Sequence, residues 1–144
     1  MNNPSEVTSQ HDTNSLDVRA LVNQWLEGGK IRDGQKLLAL LHPDIRLTVP
    51  FKTDVIWGSI NTLSTFKAFD EVVSNFTYKN VLIDGKVAAL RFEGNINGEL
   101  LQGVDLFHFN HEGQIEKIEI MARPLASVQS LQEAIEGNDV QQTM

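Results

Sequence analysis

The stretch Glu99–Arg123, ELLQGVDLFHFNHEGQIEKIEIMAR, decides how this chain is read. Apolar and polar residues alternate through both halves, and His111–Gly113 interrupts them, so the stretch reads as two long strands joined by a tight turn. Side chains two apart share a face of a strand, which sets Asp105 beside Phe107 and Phe109. A carboxyl group there looks into apolar space, where loss of hydration raises its pKa.

Working outward, Val87–Ile96 and Phe76–Ile83 also alternate, with Asn97-Gly98 and Asp84-Gly85 between the runs. Both dipeptides signal hairpins, because the two central residues of such turns take positive φ. If Asn97-Gly98 is a two-residue turn, Ile96 faces Glu99, and counting back pairs Phe92 with Gly103, Arg91 with Val104 and Leu90 with Asp105. Arg91 and Glu93 then lie on the face opposite Asp105, unless a bulge shifts the register by one residue. Gln102, Val104, Leu106 and His108 fall on that outer face, a mixture suited to a dimer surface.

The first half reads differently. Val18, Leu21, Val22 and Trp25 recur at helical spacing after a cap at Asn14 or Ser15, with Gly28-Gly29 as the expected stop. A second short helix is expected over about Asp33–Leu41, ending before His42-Pro43, with His42 as a helix-end residue. Ile45, Leu47, Val49 and Phe51 then alternate as a strand with one buried face, followed by a short extended piece at Val55–Trp57. Asn61 or Thr62 opens a third helix carrying Leu63, Phe66, Phe69, Val73 and Phe76, whose phenylalanines read as core. Pro124 suits a first helical position, and Leu125, Val128, Leu131 and Ile135 mark a short C-terminal helix. Residues 1–14 read as a disordered tail and 137–144 as a polar one, leaving a single domain over 15–136.

Composition narrows the function classes. With 19 acidic against 12 basic residues the net charge is −7, and the basic residues are scattered, which disfavours nucleic acid. Cysteine is absent, the first residues lack the apolar run of a signal peptide, and no stretch approaches a membrane span, so a cytoplasmic protein is expected. The histidine spacing offers no metal site, and no P-loop, GxGxxG or GxSxG motif implies a cofactor or a serine nucleophile.

Helix, helix, strand, helix and an antiparallel meander make an α+β fold: a cone-shaped curved sheet, mixed or antiparallel, wrapped around three helices, with a short C-terminal helix. LLALLHPDIRLTVP, Gly58 ahead of the third helix and GVDLFHFNHEGQIEKIEI together resemble the nuclear-transport-factor-2-like superfamily, which includes SnoaL-like polyketide cyclases and ketosteroid isomerase. The resemblance covers roughly residues 15–123, and MARPLASVQSLQEAI is similar to a terminal helix of the SnoaL-like branch. It places Asp105 on the isomerase aspartate that stays protonated and donates to a developing oxyanion. The isomerase's general-base aspartate falls on Val49 and its oxyanion-hole tyrosine on Trp25, and neither can accept a substrate proton. Arg91-x-Glu93 resembles the Arg-x-Asp of limonene-epoxide-hydrolase-like members, but the second acid of that family falls on Ile120.

Two functions are therefore expected to compete. In the first, a cavity lined by Trp25, Leu47, Val49, Phe51, Phe66, Leu90, Phe92, Phe107, Ile118 and Ile120 binds a small hydrophobic molecule, with Asp105 as general acid or hydrogen-bond donor in an isomerase, cyclase or hydrolase type of reaction. In the second, the cavity is filled by its own side chains, Asp105 is bonded to the Trp25 indole N–H, and the outer sheet face makes a non-catalytic dimerisation or partner module. A homodimer through that face is expected in either case. Trp57 and Arg123 lie near strand ends, where a cavity mouth would be.

Overall fold

The computed structural model describes residues 16–143, and side chains as far as residue 137. The expected tail 1–14 and the caps at Asn14 and Ser15 lie outside the described residues. Asp17 caps the first helix instead: its Oδ1 accepts from the Ala20 N–H at 3.0 Å, opening α1 over Val18–Lys30. Gly28-Gly29 does not stop it. A Cβ on Gly28 would lie 2.9 Å from Leu37 Cδ2, so this glycine lets the next helix approach closely. That helix, α2, spans Gly34–Leu40 and is capped by Asp33, whose Oδ1 accepts from the Lys36 N–H.

β1 is Leu41–Thr48 and β2 is Ile56–Trp57. Pro43 falls where the pairing of β1 shifts between Leu41 and Arg46, the kind of break in a ladder where proline's missing N–H is tolerated. Gly58, at φ 95°, leads into α3 over Ser59–Val72, two to three residues earlier than the sequence suggested. Val73 and Phe76, assigned above to this helix, lie beyond it, Phe76 in β3.

The meander is β3 (Ser74–Asp84), β4 (Val87–Ile96), β5 (Glu99–Phe109) and β6 (Ile115–Arg123). Between β3 and β4 the turn is Gly85-Lys86 rather than Asp84-Gly85, since Asp84 still pairs with Val87. Asn97 and Gly98, at φ 51° and 78°, turn as expected, and the register Leu90↔Asp105, Arg91↔Val104, Phe92↔Gly103 and Ile96↔Glu99 follows. The six strands form one sheet in the order β2-β1-β6-β5-β4-β3, antiparallel except where β1 runs parallel to β6.

Pairing shifts in β3, at its Ser74–Thr77 and Tyr78–Asn80 steps, and between β5 and β6 at His108–Phe109, bend the sheet. Its inner face carries the core: Ile45, Leu47, Leu90, Phe107 and Ile118 are fully enclosed. Trp25 of α1 ties three elements together, meeting Phe66 of α3 and Phe107 of β5 edge-on with centroids 5.2 and 5.1 Å apart. The last helix, α4, spans Leu125–Thr143 and so extends past Gly137, where a polar tail was expected. Pro124 precedes it and accepts the Val128 N–H, while Ser127 Oγ donates to the Leu100 carbonyl at 2.6 Å, seating α4 on the start of β5. No helix among the described residues is long and apolar enough to cross a membrane.

Candidate functional site

A cleft of about 810 Å³ lies between the helices and the inner sheet face. Its walls are mostly apolar, from Trp25, Leu37, Leu63 and Phe66 on the helices to Phe76, Leu101 and Ile120 on the sheet, and Leu131 of α4 also reaches it. Asp105 is at its floor, 2% exposed.

Asp105 is not alone there. The Tyr78 hydroxyl donates to Asp105 Oδ2 at 2.7 Å. Tyr78 stands on β3, opposite Phe92 of β4, and Leu90 on β4 pairs with Asp105 of β5, so the phenol reaches diagonally across one intervening strand. Phe76, edge-on at 4.9 Å, fixes the tyrosine ring.

Burial pushes the Asp105 carboxyl up to about 7, the Tyr78 hydrogen bond acting the other way by stabilising the carboxylate. Burial first, and then the negative charge of Asp105, hold the Tyr78 hydroxyl well above its ordinary range; hydrogen bonding with Trp25 opposes them. Only Thr62 Oγ1 is a wholly enclosed side-chain polar atom without a partner among the described residues, so Asp105 Oδ1, which has no hydrogen-bond partner among them, is not fully enclosed. While Oδ2 accepts from the tyrosine, Oδ1 is the oxygen left to carry the proton of the acid form.

The expected lining separates into two groups. Trp25, Phe66 and Ile120 line the cleft with Asp105. Leu47, Val49, Leu90, Phe92, Phe107 and Ile118 are on the inner side as parity required, but each is at most 4% exposed and packed as core beneath the helices. Phe51 lines a separate recess of about 380 Å³ with Leu125 and Val128, and meets Phe69 edge-on. The expected alternative bond from Trp25 to Asp105 gives way to the one from Tyr78.

Tyr78 is the residue that sequence reasoning missed. It is the chain's only tyrosine and shares the strand parity of Phe76, which was the available signal. Among the described residues no group of His, Asp and Glu is arranged to hold a metal.

On the outer face Arg91 Nη1 contacts Glu93 Oε2 at 3.1 Å, and that guanidinium, with Gln102, holds the glutamate below its usual range. His108 Nε2 meets Glu119 Oε1 at 2.9 Å. Arg123 donates to Gln102, and Trp57 is exposed on β2, neither at the cleft.

No protein-family model and no curated protein matches the chain. Solved structures do. A steroid delta-isomerase from Pseudomonas aeruginosa superposes with a TM-score of 0.81 at 26% identity, over 88% of this chain and 93% of that one. An uncharacterized bacterial protein with a cystatin-like fold from Silicibacter pomeroyi gives 0.77 at 26% identity, over 82% and 84%. A nuclear-transport-factor-2-like protein of unknown function from Cytophaga hutchinsonii gives 0.61 over 76% and 92%, and at 15% identity that likeness concerns the fold alone.

Proposed function

Taking the chain by its fold as a member of the nuclear-transport-factor-2-like superfamily, we propose that it binds a small hydrophobic, carbonyl-bearing molecule in the cleft and that Asp105 is its acid group. The observation that carries this reading is the 2.7 Å Tyr78–Asp105 hydrogen bond at the floor of a mostly apolar cleft. Protonated Oδ1 donates to the ligand's carbonyl, and Tyr78 fixes the other oxygen so that the donor points one way. A pocket of this volume with one convergent polar pair suits a drug-sized apolar ligand. The steroid isomerase neighbour supports an isomerase type of reaction at the coarse level only. Val49, which the resemblance sets at that family's general base, is buried core and does not line the cleft, so the reading gives it no proton to move.

Calorimetric titration with acetylnaphthalene and ethylnaphthalene, which differ by the carbonyl, tests the reading. The wild type is expected to favour the ketone by about tenfold, the worth of one buried hydrogen bond. The preference should be larger near pH 5.5 than near pH 8.5, and Asp105→Leu should abolish it. Equal binding of the two compounds, or a preference that survives in Asp105→Leu, would overturn the role given to Asp105.

The outer sheet face supports a second reading, homodimerisation. Met121 is 49% exposed there and pairs across the sheet with Val104, which leaves apolar surface between the ion pairs of that face. Light scattering at micromolar concentration should give twice the chain mass, and a monomer would contradict it.

A further inference from the structure

We propose that the ligand of this cleft is amphipathic, with an anionic group held at the mouth by Lys30, Arg32 and Lys67. This inference rests on the cleft reading above and specifies the far end of the molecule. The walls and floor are mostly apolar around the Tyr78–Asp105 pair, with Thr77 beside it, whereas the rim is charged: Lys30 closes α1, Arg32 sits in the α1–α2 turn, and Lys67, Asp70 and Glu71 lie on α3. Three cations there face two carboxylates.

That balance runs against the chain as a whole, which carries a net charge of −7. A surface left to the average composition would repel an anion, and this rim does not. Asp70 already engages Arg32, Oδ2 to Nη1 at 2.6 Å, with both side chains largely exposed. The protein thus presents a carboxylate of its own on the rim arginine, in the position that a ligand carboxylate would take. Lys30 and Lys67 have no salt-bridge partner among the described residues. A ligand held in this way is oriented. Its anionic end stays in the wet, charged mouth, where desolvation is small, and its apolar body runs toward Asp105.

Decanoate, decanol and decylamine carry the same tail and differ in charge. Trp25 lines the cleft and Trp57 does not, so Trp25 emission in a Trp57→Phe background reports occupancy. At about pH 6 and low salt, decanoate is expected to bind about tenfold tighter than decanol, with decylamine weakest, and the difference should shrink as salt screens the rim. Lys30→Gln/Lys67→Gln should shrink the preference severalfold by weakening decanoate more than decanol, and Asp70→Asn should strengthen decanoate binding severalfold by freeing Arg32.

Decanol binding as tightly as decanoate, or a preference insensitive to salt and to the double variant, overturns the rim assignment and leaves the cleft reading standing. Failure of all three probes to change Trp25 emission overturns both.

Discussion

Asp105 governs how stability should depend on pH. Its folded pKa of about 7 lies above the ordinary carboxylate value near 3.9, so between those limits the folded chain binds a proton that the unfolded chain releases. Unfolding free energy contributed by this group therefore falls as pH rises across that window, by roughly 4 kcal/mol in all, and is level above it. Asp105→Asn cannot ionise. Urea midpoints at pH 5 and pH 8 should show the wild type losing stability relative to the variant, with the variant the more stable at pH 8; parallel behaviour would contradict a raised pKa. The inward aim of Asp105 was legible from its place beside Phe107 and Phe109. Its partner was not, because Tyr78 is two strands away and β3 shifts register immediately after it, between Tyr78 and Asn80. Pairing counted from turn residues carries across a regular hairpin, as it did from Asn97-Gly98, but not through a bulge.

Elements were legible where backbone chemistry is local and obscured where glycine serves packing. Asn97-Gly98 must turn because both residues take positive φ. Gly28-Gly29 looks like a helix stop, yet α1 passes through it so that Leu37 can close on Gly28, a contact that no local pattern encodes. Gly103 makes the same point within the sheet. A Cβ on it would collide with the Met121 carbonyl and lie 2.5 Å from Phe92 Cζ, so the ring of β4 fills the place of a side chain on β5. Gly103→Ala is expected to lower stability by about 1–3 kcal/mol, as overpacking does, and to displace Phe92 from its contact with Phe76. Thermal unfolding checks the first effect and aromatic proton shifts the second; a variant as stable as the wild type would show that both the Phe92 ring and the Met121 backbone yield freely.

At the scale of the molecule, strand parity identified the inner face, and the structure agrees for every expected lining residue on β4, β5 and β6. Parity cannot say which inward side chains the helices cover. Leu90, Phe107 and Ile118 are roofed over, whereas Ile120 and Asp105 remain beside open space, a division that depends on how far each helix extends over a curved sheet. The raised pKa of Asp105 is thus a property of the whole fold, since the loss of hydration comes from helices and strands far apart in sequence. The most direct test is a carbon-13 NMR titration of the Asp105 side-chain carboxyl, in the wild type and in Tyr78→Phe. A midpoint near 7 is expected in the wild type, moving upward in Tyr78→Phe because the bond that favours the carboxylate is gone. A midpoint near 4, unchanged by Tyr78→Phe, would mean that Asp105 is an ordinary hydrated carboxylate and that the floor of the cleft holds no acid group at neutral pH.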